Sequence, residues 1–216
     1  MHATTSSDRA GEPAGRRSGS TVPLALGALL WLAAVGGALA MLNGYALEPG
    51  DAKRAPDRWP TASAIARDQS RPVLLMFVHP RCPCTRASLG ELERLLAACQ
   101  DQLSAHVLFL QPLDEPAGWI DTDLWRAAAT VPGLAVHRDQ GGAEARRFGA
   151  ETSGHTVLYD RAGRLAFQGG ITISRGHAGD NPGRSAIVAW VRGEGGPVPG
   201  ATPVFGCALF QAENRR

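Results

Sequence analysis

The feature that most restricts this chain is a stretch without charge near its start. Between Ser18 and Leu47 there is no Asp, Glu, Lys or Arg, and inside that window Val22–Leu42 reads VPLALGALLWLAAVGGALAML. Coiled as a helix, those residues reach about 31 Å, the thickness of a bilayer's hydrocarbon core. Arg16 and Arg17 are the nearest charges before the run, and Glu48 is the first acidic residue after it. That asymmetry keeps the N-terminus in the cytoplasm and sends the rest of the chain across. Three accounts of the segment compete: an uncleaved anchor, a cleaved signal peptide and a buried core helix. Ala38-Leu39-Ala40 has the small-x-small form that a signal peptidase accepts. The apolar run nevertheless exceeds the roughly 7–15 residues of a signal-peptide core, which favours the anchor. The run has no polar face, which argues against a core helix. The expectation is a disordered cytoplasmic tail over 1–20 and a single-pass transmembrane signal-anchor over 21–42. That places the protein in the cell inner membrane with its remaining domain facing the periplasm.

Composition sets the class of the remaining chain. Hydrophobic residues at 44% against 19% charged provide enough apolar material for a core, which excludes disorder. The formal charge of +2 is too small and too dispersed for a nucleic-acid partner. Four cysteines are too few for a disulfide-dense scaffold, so outside the cytoplasm they are read as redox or metal-binding groups. Residues 43–58 read as a polar Gly/Pro-containing linker, 59–193 as one domain, and 194–216 as a Pro/Gly-rich C-terminal tail carrying Cys207.

Within 59–193 the hydrophobic period alternates between strand and helix. Pro72–Val78 is a continuous apolar run, the pattern of a buried central strand. In the next segment, a helix, Leu89, Leu92, Leu95, Leu96 and Cys99 share one face, with Glu91, Glu93 and Arg94 on the outer one. A strand over 105–110, a helix near 123–130, a short strand at 134–137 and a helical turn over 143–148 come next. A hairpin spans 156–168, turning at Arg161-Ala162-Gly163, and Pro182–Val191 reads as the last helix. The order β-α-β-α-β-α-β-β-α describes an α/β domain with a mixed sheet flanked by helices.

The chemistry falls where the first strand feeds the first helix. Cys82-Pro83-Cys84 lies at that junction, and Pro83 suits the first helical position because its missing N–H has no partner to lose there. Cys82 then sits at the N-cap, where free backbone N–H groups and the helix dipole favour a thiolate. Cys84 is close enough to resolve a mixed disulfide. A permanent Cys82–Cys84 staple is the poorer account, because a disulfide across one residue closes a small strained ring. Cys99 reads as core. The Gly-rich loop 175–184 reads as a long turn in which Asp180 or Asn181 caps the last helix. A protonated His79 would stabilise a neighbouring thiolate, and His177 reads as a ligand or proton donor, or as part of the turn alone.

Two segments, VLLMFVHPRCPCTRASLGELERLL and TVLYDRAGRLAFQGG, together resemble the thioredoxin fold. More narrowly they resemble the membrane-anchored, periplasm-facing thioredoxin-like proteins of bacteria of the TlpA and ResA type, over about 59–193. The stretch GGITISRGHAGDNPGRSAIVAWV with TPVFGC looks RedB-like. The resemblance implies a thiol–disulfide oxidoreductase in which Cys82 attacks and Cys84 resolves, with no cofactor and with an extracytoplasmic protein dithiol or disulfide as client. The chain departs from that family's pattern: one residue, not two, separates the cysteines, and Thr152–Thr156 lacks the proline expected before the later strand. That proline shapes the docking edge and keeps metals from the thiols, so its absence admits a second reading. In the manner of Sco-type chaperones, Cys82, Cys84, His155 and Cys207 would bind Cu(I) for a metalloprotein client. His155 equally reads as a polar strand cap. The apolar neighbours Val204 and Phe205 indicate that the Cys207 segment docks, and Cys207 reads either as a third thiol approaching Cys82 and Cys84, in a relay or a three-sulfur metal site, or as an inert buried thiol. A non-catalytic thioredoxin-fold module is the third reading. Peroxidase activity is not expected, because neither His79 nor Arg81 supplies the hydroxyl required three residues before a peroxidatic cysteine.

Overall fold

The computed structural model describes residues 22–194 and 201–210; the expected cytoplasmic tail, 1–20, lies outside them. The chain divides into two compact units, Met1–Leu42 and Asn43–Arg216. Helix α1 (Val22–Leu47) has 26 residues, a mean hydropathy of 2.1 and no buried residue, so the core-helix account does not hold. It is long and apolar enough to cross a membrane and fits an anchor or a signal sequence. It runs past Leu42 because nothing before Pro49 breaks a helix.

The second unit is built on a five-stranded sheet ordered β3-β2-β1-β4-β5. The strands are β1 (Val73–Val78), β2 (Ser104–Gln111), β3 (Leu134–Gln140), β4 (His155–Tyr159) and β5 (Leu165–Gly169). β1 pairs in parallel with β2, and β2 with β3, whereas β4 runs antiparallel to β1 and β5 antiparallel to β4. Helices α2 (Pro83–Cys99), α3 (Asp123–Ala129), α4 (Ala143–Arg147) and α5 (Pro182–Val191) complete the unit. This is the thioredoxin-like fold.

Strand alternation divides the core in two. Leu74, Met76, Val78, Val107, Phe109 and Leu158 face one way, onto Leu89, Leu92 and Leu95 of α2 and Ile187 of α5. Full burial of each such leucine contributes on the order of 1.5–3 kcal/mol. Val73, Leu75, Phe77, Val157 and Tyr159 face the other way, onto Ala145, Phe148, Leu209 and Phe210. There Trp59 meets Phe148 and Tyr159 edge-on, at ring separations of 5.1 and 5.3 Å.

Two expectations change at the level of packing. The 43–58 stretch is not a free tether: Lys53 donates to the Gly149 carbonyl at 3.0 Å, and Leu165 donates to the Asp57 carbonyl at 2.9 Å. Ala55 is buried against the sheet, and its N–H donates to Gln168 Oε1 at 2.7 Å. Residues 201–210 of the tail dock, as their apolar residues indicate: Val204, Phe205, Leu209 and Phe210 are all buried. Glu91, expected on the outer face of α2, is fully buried. Its carboxylate accepts from Gly179 N at 2.8 Å, Asn181 Nδ2 at 3.2 Å and Arg184 Nη1 at 2.6 Å, and it also pairs with Arg94. Helix α5 and its leading loop lie over that face of α2, which the periodicity of α2 alone does not reveal. Asn181 caps α5 by accepting from Arg184 N at 2.8 Å, in line with one of the two expected caps.

Candidate active site

β1 ends at Val78, and after four intervening residues α2 begins with Pro83 in its first turn, so Cys82 takes the extended N-cap conformation (φ −89°, ψ 120°). It is 1% exposed. Burial opposes ionisation of this thiol. A hydrogen bond from Cys207 and the backbone N–H groups of Cys207, Cys84 and Thr85 outweigh it, and the pKa falls below the ordinary thiol value. Cys84, half-buried, has its pKa raised by burial and then by the charge and hydrogen bond of Cys82. The two thiols of the pair therefore differ: ionisation is favoured at Cys82 and disfavoured at Cys84.

The third sulfur comes from the far end of the chain. Cys207 Sγ lies 2.7 Å from Cys82 Sγ, and Cys207 N donates to Cys82 Sγ at 3.4 Å. Burial, then the hydrogen bond and charge of Cys82, pushes the Cys207 thiol up to about 12. Its segment pairs with the loop preceding β4. Ser153 N donates to the Cys207 carbonyl at 2.8 Å, and Leu209 N donates to the Glu151 carbonyl at 2.8 Å. A Cβ on Gly206 would sit 2.0 Å from the Ser153 carbonyl oxygen, so only glycine permits that approach. Arg175 donates to the Gly206 carbonyl and to the Glu48 carbonyl, and its charge favours the thiolate forms of Cys84 and Cys207.

The loop that lacks the expected proline is held by hydroxyls. Ser153 Oγ accepts from His79 N at 2.9 Å and lies 2.8 Å from Thr85 Oγ1, which itself donates to the His79 carbonyl at 3.1 Å. Because the single Thr85 hydroxyl proton serves His79, Ser153 is the donor in the Ser153–Thr85 bond. Gly154 adopts φ +93° there, a conformation that disfavours other residues. Burial, then the Arg81 charge, lowers the His79 pKa, which weakens the expectation of a charged imidazole beside the thiolate. His79 stacks edge-on against Trp119 at 5.4 Å, and the Arg81 guanidinium lies 4.6 Å over the same ring. Beside them runs a groove of about 880 Å³ lined by Leu113, Trp119, Arg146 and Phe210.

The four residues of the copper reading are not brought together. The three cysteines cluster, but His155 alternates with Val157 and Tyr159 on the sheet face opposite α2. Its ring nitrogens have no hydrogen-bond partner, so neither is bonded to a cysteine sulfur. Among the described residues, no group of three or more His, Cys, Asp or Glu side chains is arranged to hold a metal ion. The four residues therefore do not form one Cu(I) ligand set, because His155 stands apart from the sulfurs. Cys99 is core, as its helical position indicated. No local pattern marks Ser153, Thr85 and Arg175 as site residues, because each joins the site only through contacts between distant segments.

His155 leads to a prediction on stability. Burial lowers its pKa from 6.5 to about 4. Between those values the unfolded chain binds the proton and the folded chain does not. The contribution is thus complete above pH 6.5 and is lost as pH falls toward 4, amounting to roughly 3 kcal/mol. Burial, then the neighbouring His137, moves His106 the same way. Urea denaturation at pH 7 and pH 4.5 is expected to show a smaller acid loss for His155→Leu than for the parent. Equal losses would contradict this account.

No family model matches the chain, and no curated protein matches it. Solved structures do. An uncharacterised conserved protein from Geobacillus kaustophilus is 18% identical, with 77% of this chain and 95% of that one covered at a TM-score of 0.54. A hypothetical protein from Sinorhizobium meliloti is 22% identical, covering 67% and 82% at a TM-score of 0.52. A secreted disulfide oxidoreductase of Mycobacterium tuberculosis matches more distantly, at 16% identity over 58% and 83% and a TM-score of 0.41. At these identities the first two likenesses establish the fold alone.

Proposed function

We propose that this protein is a membrane-tethered thiol–disulfide oxidoreductase that works outside the cytoplasm, with its domain on the periplasmic side of the inner membrane. The observation that carries the reading is the buried Cys82 sulfur at the N-terminus of α2, whose pKa is lowered, against its burial, by the Cys207 thiol and by the N–H groups of Cys207, Cys84 and Thr85. A helix N-terminus and converging N–H donors are what an attacking thiolate needs. A thiol kept only for packing would show the raised pKa of Cys99. Cys82 attacks one sulfur of a client disulfide, a client thiolate leaves, and Cys84 stands beside the mixed disulfide as the second thiol of the Cys-Pro-Cys pair. The client is a protein dithiol or disulfide, and the chemistry needs no cofactor.

The test uses full-length protein with insulin as the disulfide substrate and dithiothreitol as the electron source. Reduction is expected well above the uncatalysed rate. Equal rates with and without the protein, in both the reducing and the oxidising direction, would end this reading.

A further inference from the structure

We infer that Cys207 is the third redox thiol of this site and that the oxidised protein stores its equivalent as a Cys82–Cys207 disulfide. The inference rests on the exchange reading above. Two observations carry it, and neither is a property of the Cys-Pro-Cys sequence. The sulfurs stand 2.7 Å apart across 125 residues, inside non-bonded contact and close to the roughly 2.05 Å of a disulfide bond. In addition, the chain is built to hold them so. Residues 207–209 form an antiparallel ladder with 151–153, and Val204, Phe205, Leu209 and Phe210 bury their side chains on either side of the cysteine. Upstream, Thr202 bridges Gly169 at the end of β5, and its hydroxyl donates to the Gly170 carbonyl at 2.8 Å.

The segment is therefore pinned at two places, at the end of edge strand β5 and along the loop preceding β4. It delivers one thiol to Cys82 at the high effective concentration of a preorganised contact. Cys84 is the weaker partner, because its disulfide with Cys82 closes a ring across one residue, whereas Cys207 closes a long loop that constrains the unfolded chain far more. Cys84 is also the less buried of the pair, and so the more accessible thiol for reopening the store.

The steps balance as exchange throughout. The Cys82 thiolate attacks a client disulfide, forming one S–S bond and breaking another, and one client thiolate leaves. Cys207 loses its proton and attacks Cys82 Sγ. The bond to the client breaks, and the second client thiolate leaves and takes up a proton. The client disulfide is reduced to one thiolate and one thiol, and Cys82 and Cys207 are oxidised to one disulfide. Cys84 exchanges with this store by losing its proton and attacking Cys82 Sγ, which forms the Cys82–Cys84 bond and releases Cys207 as a thiolate that takes up the proton; the oxidation state is unchanged, and the strain of that ring keeps the balance on the Cys82–Cys207 side.

The experiment treats reduced full-length protein with the aromatic disulfide dithiobis(nitrobenzoate), alkylates the remaining thiols and maps tryptic peptides. Cuts after Arg81 and Arg86 leave Cys82 and Cys84 on one peptide and Cys207 on another. The expected product joins the two peptides, with the alkyl group on Cys84. Cys84→Ser is expected to keep the cross-link and retain no aryl group. Cys84→Ser combined with Cys207→Ser is expected to retain the aryl group on Cys82 as a trapped mixed disulfide. A Cys82–Cys84 ring with Cys207 alkylated, or an aryl group persisting on Cys82 in Cys84→Ser alone, would overturn the inference and leave the exchange reading standing. A Cys82–Cys207 cross-link in a protein whose double variant takes up no aryl group supports the pair. It also removes Cys82 as the thiol that meets the client, so only the exchange reading falls.

Discussion

Replacing Cys82 by serine is expected to return insulin reduction to the uncatalysed rate, a loss on the order of 10³-fold or more. Serine keeps the shape of the side chain and its place at the N-cap, so folding is little disturbed. The hydroxyl does not ionise near neutral pH, however, and oxygen forms no disulfide. The N–H groups of Cys84, Thr85 and Cys207 would then converge on a group that cannot attack. Cys99→Ala is the control, because that thiol lies in the core between α2 and the sheet and touches none of the three clustered sulfurs. Its rate is expected to match the parent. The parent's pH profile carries a second signature: the acid limb should lie below the ordinary thiol value, since the pKa of Cys82 is lowered. Retention of a tenth or more of the activity in Cys82→Ser would move the nucleophile elsewhere in the chain.

Loss of the Glu91 carboxylate is expected to be the most damaging single change to stability, at about 3–5 kcal/mol for Glu91→Ala. The cost is not the loss of one surface ion pair, which would be small. Glu91 has 0% side-chain exposure and Arg184 has 17%, so truncation leaves a largely buried guanidinium without its counter-charge. Gly179 N and Asn181 Nδ2 lose an acceptor in the same step. Because Asn181 also caps α5, the loop 175–182 and the first turn of that helix should loosen together. Glu91→Gln keeps two acceptor lone pairs and should fall between the parent and Glu91→Ala. Urea denaturation at pH 7 measures all three. A loss below about 1 kcal/mol for Glu91→Ala would mean that Arg184 finds water or another partner, and that the hub is not structural.

The order of elements was legible because hydrophobic period is a local property. Every strand and helix expected after the linker is present, and the last helix spans Pro182–Val191 as its sequence indicates. β3 extends to Gln140, beyond the expected His137. Its last residues alternate polar side chains, and pairing with Leu110 and Gln111 of β2 is what keeps them in the sheet. The 43–58 stretch carries no period at all. It is ordered by backbone bonds to Gly149 and Asp57–Leu165 pairing, and such bonds are blind to side-chain type.

The site divides along the same line. The apolar run of α1 and the placement of Cys82 at the start of α2 were determined by the sequence alone. Charge-free length, and proline at a first helical turn, act within a few residues of themselves. The approach of Cys207 to Cys82, the Ser153–Thr85 link, the Arg175 contact with Gly206 and the burial of Glu91 were decided by tertiary structure. Each joins residues from separate elements, and each depends on how the strands β1, β4 and β5 and the helix α5 stack, so no pattern within one segment encodes it. His155 shows the limit most plainly: its neighbours in sequence placed it beside the later strand, but the side of the sheet it faces was settled only by the register of β4 against β1, which pairs it with Phe77.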